Sequence, residues 1–301
     1  MEKQKVAFIG SGIIGSGLAV NAMMHGYPTT LQTRSRVEVM KNRVAKILSV
    51  MVENNVCTQE EADAAAARAT YTTSVEEAVT GAFFIQESGP ERLELKRELY
   101  AQIEAACPED ALICSSTTAL LPTPLQEGSK HPERILVGHP YHPSYLLPLI
   151  EICGSEKNSP ETIEKAKAIY TDMGKLPIVC LKEARGLVAN TMSWSVLHDA
   201  KNAVLNGLCS VEDADKALMY GPGMRMALTG QLLTIALGVE GGYRAMTSKY
   251  SGNADPDAEK IAAGLDEEMA NRPAELGRNE VEIGDFRDKM IVMLLKAQNM
   301  L

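Results

Sequence analysis

The chain has 301 residues, 45% of them hydrophobic, which is enough for one doubly wound domain and a second, smaller domain. Its formal net charge of -9 argues against nucleic acid or an anionic membrane surface as a partner. The first strand pattern starts at Lys5 and no apolar run approaches membrane-spanning length, so we expect a cytoplasmic protein. The six cysteines lie far apart without zinc-site spacing, and they predict neither disulfides nor a bound metal.

Strand and helix patterns alternate over the first part of the chain. The predicted strands are 6–9, 29–32, 82–86, 111–114, 135–138, 149–153 and 176–181. The predicted helices between them are 13–25, 37–53, 58–68, 91–106 and 159–173. This alternation predicts an α/β fold, with a Rossmann-type, doubly wound, mostly parallel sheet of about seven or eight strands in a domain spanning residues 1–184.

From Gly186 onward the sequence has helical spacing and no convincing strand. The predicted helices are 187–206, 211–219, 226–249, 256–270 and 285–299, with a break at the Gly-Pro-Gly turn of residues 221–223. We therefore expect an all-helical C-terminal domain over residues 185–301.

Residues 10–15, Gly-Ser-Gly-Ile-Ile-Gly, form a Gly-x-Gly-x-x-Gly motif between the first strand and the first helix. In such a motif the glycines allow a tight turn, close approach of the backbone to a pyrophosphate, and close packing of helix on sheet. The free N–H groups at the start of the helix then face the phosphates. The motif predicts a dinucleotide site at Gly10, Gly12, Ile13, Ile14 and Gly15.

The second strand should end in an acidic residue that binds the ribose hydroxyls of NAD, but residues 33–36 are Thr-Arg-Ser-Arg. Hydroxyl and guanidinium donors suit a 2′-phosphate, which a carboxylate would repel. The sequence therefore favours NADP, with NAD as the alternative, and it predicts contacts from Thr33, Arg34 and Ser35. In the other interpretation Thr33 ends the strand, Ser35 caps the next helix and Arg34 is solvated.

A histidine and a glutamate stand where the ligand of an open α/β sheet binds, at or near strand ends. His139 follows the strand 135–138, and an imidazole can take the proton of an alcohol as hydride leaves. Glu151 lies on an otherwise apolar strand, where a carboxylate needs a partner, and it could orient His139. Alternatively, His139 packs against Pro140 and Pro143 while Glu151 reaches solvent.

Five segments occur in an order and spacing that resemble the 3-hydroxyacyl-CoA dehydrogenase superfamily. They are residues 10–15, 87–96, 115–118, 138–151 and 186–190. Residues 85–97 and the turn at 223–225 are most similar to its branch of L-carnitine dehydrogenase and L-gulonate 3-dehydrogenase, which includes lambda-crystallin. The resemblance implies a nicotinamide-dependent dehydrogenase.

The resemblance also implies a role for individual residues. His139 matches the family's catalytic base, and Glu151 matches the carboxylate that orients it. Asn190 matches an asparagine that hydrogen-bonds the substrate near the histidine. The family's active-site serine falls on Thr118, and Ser116 could share its work, so both would help to hold the reacting oxygen.

In the same family Glu87 and Lys96 fall near the nicotinamide half of the cofactor, with Ser116 facing the ring. The alternative for Lys96 is a solvated helix face with ion pairs to neighbouring acids. The family usually has an acidic residue at position 33 and an asparagine at the position of His142. These two departures leave the cofactor preference and the role of His142 open.

Arg225 follows a Gly-Pro-Gly-Met turn and resembles the arginine that the small-acid branch uses for the substrate carboxylate. A guanidinium binds a carboxylate through two parallel hydrogen bonds. The alternative is an arginine at a helix start, paired with a nearby acid. Because a CoA thioester has no free carboxylate there, Arg225 favours a free acid as substrate.

We therefore expect oxidation of the 3-hydroxyl of a small, carnitine- or gulonate-like 3-hydroxy acid to the 3-oxo acid. By resemblance, the helical domain binds the substrate and forms a homodimer. The alternatives are a 3-hydroxyacyl-CoA dehydrogenase and a crystallin-like, cofactor-binding protein without turnover. L-Carnitine itself is not singled out, because the sequence has a single tryptophan, Trp194, to face its trimethylammonium group.

Overall fold

The computed structural model describes residues 3–301 except 11, 35 and 252–256, so Ser35 lies outside the described residues. The chain divides into two compact units, Met1–Trp194 and Ser195–Leu301. Within the described residues, we find no helix whose length and apolar character would let it span a membrane.

The first unit contains one sheet, which carries the candidate site. Its strands are β1 (Val6–Ile9), β2 (Thr29–Gln32), β3 (Ala69–Thr72), β4 (Phe84–Glu87), β5 (Leu112–Ser115), β6 (Ile135–Pro140), β7 (Leu149–Cys153) and β8 (Leu176–Cys180). The strand order is β3-β2-β1-β4-β5-β6-β7-β8. Every neighbouring pair is parallel except β6 and β7, which are antiparallel. The predicted fold class, a doubly wound and mostly parallel sheet, is confirmed.

Helices cover both faces of this sheet. They are α1 (Ile13–Met24), α2 (Val37–Glu53), α3 (Gln59–Ala66), α4 (Val75–Val79), α5 (Leu93–Glu104), α6 (Pro122–Gln126) and α7 (Pro160–Asp172), with a 3-10 turn at Pro132–Arg134. Side chains alternate along β1, so that Val6 and Phe8 pack in one apolar cluster while Ala7 and Ile9 pack in another. Because both faces of the sheet are covered, β1 reads in the sequence as a continuous apolar run.

The antiparallel pair β6–β7 positions the expected catalytic residues. Its register places His139 directly opposite Glu151. Residues directly opposite each other on paired strands have their Cβ atoms close together on one face. Gly138 precedes the histidine where a Cβ would clash with the hydroxyl of Tyr170, so the local sequence Gly-His allows β6 to lie close to α7.

One strand and two short helices of the first unit are absent from the sequence prediction. β3 pairs only with β2 and forms the edge of the sheet, and three of its four residues are half-buried or exposed. An edge strand of this kind lacks the apolar run that marks a central strand. The helix predicted from residue 91 begins instead at Leu93, which leaves Glu91 in the loop after β4.

The second unit is helical. The remaining helices are α8 (Ala189–Leu205), which begins in the first unit, α9 (Val211–Tyr220), α10 (Pro222–Thr229), α11 (Gln231–Ala236), α12 (Gly242–Ser251), α13 (Ala258–Asn271) and α14 (Glu280–Ala297), with a 3-10 turn at Ala274–Leu276. The single helix predicted for 226–249 is wrong, because Gly230 and Gly241 adopt φ values of 69° and 89° and redirect the chain. The break predicted at residues 221–223 is confirmed, because α9 ends at Tyr220 and Gly221 separates it from α10. The turn expected at residues 223–225 is wrong: Pro222 starts α10, a position that suits proline, and Arg225 lies within that helix.

Candidate active site

A cavity of about 680 Å³ opens at the carboxyl ends of β1, β2 and β4. Residues that line it include Gly10, Gly12, Thr33, Arg34, Ser88 and Pro90. Gly10 has φ +92°, and a Cβ there would lie 2.6 Å from the carbonyl oxygen of Ser88. A Cβ on Gly15 would clash with the carbonyl oxygen of Gly10, whereas one on Gly12 would meet nothing within 4 Å. Two glycines therefore permit the turn, and Gly12 leaves open space in which a pyrophosphate fits.

The first turn of α1 begins beside this cavity, since its N-cap residue Gly12 belongs to the lining. Gly12 is the N-cap residue and supplies no side-chain cap. Ile13 is 59% exposed, and Ile14 lines a second cavity described below. Thr33 and Arg34 follow β2 and reach the cavity lining, with the Arg34 side chain exposed. Uncapped helix N–H groups and a nearby guanidinium favour an anionic ligand here.

Glu87 and Lys96 form an ion pair inside the protein. Lys96 Nζ donates to both carboxylate oxygens of Glu87 at 2.8 Å. The hydroxyls of Tyr100 and Ser115 donate to Glu87 Oε2 at 2.9 and 2.7 Å. Lys96 is 1% exposed, so the alternative of a solvated helix face is wrong. The ion pair fixes the end of β4, directly before the loop that begins with Ser88.

His139 and Glu151 form a buried hydrogen-bonded pair. His139 Nδ1 lies 2.9 Å from Glu151 Oε2, and the histidine is 6% exposed. Glu151 Oε1 accepts hydrogen bonds from the N–H groups of Val188 and Ala189, both at 2.9 Å. The carboxylate therefore caps the start of α8 and contacts the imidazole at the same time. The alternative in which Glu151 reaches solvent is wrong, because Glu151 is fully buried.

These contacts decide which imidazole nitrogen carries the proton. Burial acts to raise the pKa of Glu151, but the hydrogen bond from His139 and the N–H donors of Ala189 and Val188 outweigh it, and the pKa lies below its ordinary value. An ionised carboxylate only accepts hydrogen bonds, so Nδ1 of His139 must be the donor. Nε2 then carries the lone pair that can accept a proton, and the hydroxyl of Thr118 lies 3.2 Å from it as a donor.

A second cavity, of about 300 Å³, lies beside Nε2 of His139. Its lining consists of Ile14, Thr118, His139, Pro140, Tyr141, His142, Asn190 and Trp194. Thr118 Oγ1 lies 3.2 Å from His139 Nε2, and Asn190 is the second residue of α8. The structure thus brings His139, Thr118 and Asn190 together at one cavity, with Glu151 hydrogen-bonded to the imidazole.

Ser116 occupies a different position from Thr118. Its hydroxyl accepts a hydrogen bond from Gln86 Nε2 at 2.7 Å and lies 2.8 Å from the hydroxyl of Ser88. Because Ser88 lines the cofactor cavity, Ser116 lies on the side of that cavity, and it is Thr118 that contacts the imidazole.

Glu91 holds the loop that carries Thr118, a function that the sequence did not reveal. Its carboxylate accepts hydrogen bonds from the N–H groups of Thr118 and Ala119, at 3.0 and 2.9 Å, and from the hydroxyl of Thr117. Burial acts to raise the pKa of Glu91, but these donors and Lys96 lower it below its ordinary value. The available signal was a carboxylate in the loop directly after a strand.

Two aromatic side chains contribute to the second cavity. The Tyr141 ring lies edge-on to His139, with their centroids 6.5 Å apart. Trp194 is 47% exposed and packs over Gly186, where a Cβ would lie 2.6 Å from Trp194 Cη2. Gly186 has φ +82°, so the glycine permits both the turn and the close approach of the indole. Arg225 belongs to the second unit, where its side chain is exposed in α10.

Comparison with known proteins identifies the family. Residues 5–184 match the NAD-binding domain of 3-hydroxyacyl-CoA dehydrogenase, and residues 186–290 match its C-terminal domain. An L-carnitine dehydrogenase from Pseudomonas sp is 36% identical over 97% of this chain and 92% of its own length. Another from Pseudomonas putida is 38% identical over 83% of this chain and 77% of its own. The structure of a 3-hydroxyacyl-CoA dehydrogenase from Archaeoglobus fulgidus has a TM-score of 0.70 and 23% identity, and the match covers 99% of this chain and 100% of that chain.

The two domain matches together span most of the chain, and the relatives named L-carnitine dehydrogenase match nearly its full length. The predicted family and enzyme class are therefore confirmed. The chain belongs to the 3-hydroxyacyl-CoA dehydrogenase family and is a nicotinamide-dependent dehydrogenase, with an NAD-binding domain, that acts on a CH–OH group.

Proposed function

We propose that this enzyme oxidises the 3-hydroxyl of a small, free 3-hydroxy acid of the carnitine type, which carries a quaternary ammonium group. The observation that carries the proposal is the cavity beside His139, where Tyr141 and Trp194 supply aromatic faces. Such faces attract quaternary ammonium ions through the ring quadrupole. The relatives at 36% and 38% identity, which are named L-carnitine dehydrogenase, support the same substrate class.

In the proposed mechanism the base is Nε2 of His139, which takes the proton of the substrate hydroxyl. Glu151 stabilises the resulting imidazolium through the 2.9 Å hydrogen bond to Nδ1. Thr118 and Asn190 hold the reacting oxygen near Nε2, with the Thr118 hydroxyl already 3.2 Å from that nitrogen. When bound, the nicotinamide accepts the hydride that leaves C3.

The cofactor is proposed to lie against the glycine turn, with Ser116, Ile13 and Ile14 along its path and Glu87 and Lys96 supporting the adjacent loop. In this proposal residues 1–184 bind the cofactor and carry the catalytic pair. Residues 185–301 bind the substrate, with Arg225 for its carboxylate, and form a homodimer. Strongly exposed apolar residues of the second unit, Leu205, Leu208 and Val211, support the homodimer.

A substrate screen tests the proposal. Hydroxy acids, among them L-carnitine, L-gulonate and 3-hydroxybutyrate, would be compared with 3-hydroxybutyryl-CoA by following the absorbance of the reduced cofactor. We expect turnover of L-carnitine, loss of turnover in His139→Ala, and a KM for L-carnitine raised about tenfold in Trp194→Ala. Turnover of the CoA ester without any free acid would replace the proposal with the acyl-CoA alternative. Dinucleotide binding without turnover of any of these would favour the crystallin-like alternative.

For the cofactor itself we propose a preference for NADP over NAD. The support is Arg34, which lines the cavity at the end of β2, together with the absence of a carboxylate at Thr33. Glu98 also lines the cavity, so the preference depends on Arg34 and not on a generally basic site. Arg34→Ala should lower the NADP-to-NAD ratio of kcat/KM about tenfold or more, whereas the equally exposed Arg36→Ala should leave it unchanged. A parent enzyme that uses NAD as well as NADP would contradict the proposal.

A further inference from the structure

Lys175 is a buried cation that the proposed chemistry does not use. It directly precedes β8 and is 3% exposed. Its Nζ donates to the carbonyl oxygen of Ser144 and, at 3.1 Å, to that of Leu147. Within the described part of the chain no carboxylate pairs with it, and burial lowers the pKa of its ammonium group to about 8. Burying an ammonium group without a carboxylate costs desolvation free energy, and the hydrogen bonds to these two carbonyls offset part of that cost.

Both carbonyls belong to the loop of residues 141–148, which connects β6 to β7. The same loop is attached to the cofactor-binding helix α1. The hydroxyl of Ser144 donates to the carbonyl oxygen of Ile14 at 3.0 Å, and Asn21 Nδ2 donates to the carbonyl oxygen of Tyr145 at 3.3 Å. A Cβ at Gly17 would clash with Ser144 Oγ, so the glycine lets the loop lie directly on α1.

The start of this loop forms a wall of the cavity beside the catalytic histidine. Tyr141 and His142 line that cavity, and Ile14, whose carbonyl accepts from Ser144, lines it as well. The loop is therefore held from two sides: Lys175 binds its backbone, and α1 binds its hydroxyl and one of its carbonyls. A shift of this loop would move Tyr141 and His142 relative to His139.

We propose that Lys175 is a positioning residue for the substrate cavity, which holds loop 141–148 against α1 so that Tyr141 and His142 stand beside His139. The inference rests on the proposed function, since it assigns these two residues to the binding of the hydroxy acid. A purely structural lysine would affect only the amount of folded protein. A positioning lysine affects the KM for the hydroxy acid in the protein that is folded.

The test compares Lys175→Met with Lys5→Met. Lys5 is a matched control, because its Nζ also donates to two backbone carbonyls, those of Glu77 at 3.1 Å and Thr80 at 2.9 Å. Lys5 precedes β1, and because β8 runs antiparallel to β1, the two lysines lie at opposite ends of the strands. For Lys175→Met we expect the KM for the hydroxy acid to rise about tenfold, with kcat within about threefold of the parent, since the loss concerns binding and not chemistry. Lys5→Met should leave both constants unchanged.

A second variant and a measurement without substrate keep the inference testable if Lys175→Met folds poorly. Ser144→Ala removes only the hydroxyl that donates to α1, and it should raise the same KM in the same direction. Amide hydrogen exchange should accelerate across residues 144–147 in Lys175→Met and Ser144→Ala, and not in Lys5→Met.

The outcomes separate this inference from the proposed function. Unchanged KM values in Lys175→Met and Ser144→Ala would overturn the inference while leaving the function standing. If the parent protein oxidises no hydroxy acid, the proposed function fails, and the exchange rates alone then decide whether Lys175 holds the loop. Equal exchange in all variants would overturn it in that case as well.

Discussion

Replacing Glu151 by glutamine tests the proposed base, because it changes which nitrogen of His139 carries the imidazole proton. The N–H groups of Val188 and Ala189 both point at Oε1, each 2.9 Å away. In Glu151→Gln these two donors should select the amide oxygen for that position, because an NH2 group there would face two other donors. The amide NH2 then faces His139 and donates to Nδ1. The imidazole proton moves to Nε2, the nitrogen that has to accept the substrate proton.

The expected magnitude follows from the loss of that base. General base catalysis by a positioned side chain contributes about 10²–10⁴ in rate, and a wrongly protonated histidine forfeits this contribution. We therefore expect kcat to fall about 10³-fold, equivalent to about 4 kcal/mol of transition-state stabilisation. The fold should persist, because Val188 and Ala189 keep an acceptor and no charge is left buried without a partner.

The assay is steady-state oxidation of the hydroxy acid that the parent uses best, together with dinucleotide binding and thermal melting. Glu183→Gln is the matched control, since Glu183 also accepts a backbone N–H, that of Thr123 at 2.6 Å, but does not line the catalytic cavity. The control should retain parental kcat. A Glu151→Gln enzyme that folds, binds dinucleotide and keeps kcat within about fivefold of the parent would refute the tautomer argument.

Packing and burial give three more tests. Gly12→Ala should leave the melting temperature unchanged and weaken dinucleotide binding, because its Cβ meets open space. Gly15→Ala should lower both the melting temperature and the affinity for dinucleotide, because its Cβ meets a backbone carbonyl. Thermal melts and calorimetric titration of the two variants measure these effects. Glu87→Gln should lower the free energy of unfolding by about 3 kcal/mol, measured in urea, because buried Lys96 then keeps only Glu91, 3.8 Å away, as a carboxylate partner. Because burial lowers the pKa of Lys175 to about 8, against about 10.4 when unfolded, the unfolded state binds more protons in that window. The free energy of unfolding of the parent relative to Lys175→Met should therefore rise by about 2.5 kcal/mol from pH 8 to pH 10.4, and a constant difference would contradict this.

The fold was predictable where burial leaves a pattern in the sequence. β1 is buried on both faces and reads as an apolar run, so its place in a parallel sheet followed directly. β3 is a partly exposed edge strand and carries no such run. The periodicity of residues 226–249 is helical throughout, and it does not reveal that Gly230 and Gly241 take positive φ values and break the segment.

The candidate site was predictable in its residue types and not in its supporting contacts. His139 and Glu151 could be named because a charge on an apolar strand needs a partner. The role of Glu91 could not be predicted, because it depends on the path of the chain after β4 and on backbone N–H groups that are close in space but distant in sequence. Backbone N–H groups carry no side-chain signature, and the same holds for the donors that cap Glu151.

The pairing of His139 with Glu151 depends on strand register, which a spacing of twelve residues does not determine. The short connection between β6 and β7 favours antiparallel pairing but leaves the register open, and a slip of one residue would turn the carboxylate to the opposite face of the sheet. The observed antiparallel register sets the two residues opposite each other, and the start of α8 fixes the second carboxylate oxygen. Three elements therefore constrain one side chain, and the same helix start brings Asn190 to the cavity. The geometry of the proposed base is thus a consequence of the only antiparallel pair in the described sheet.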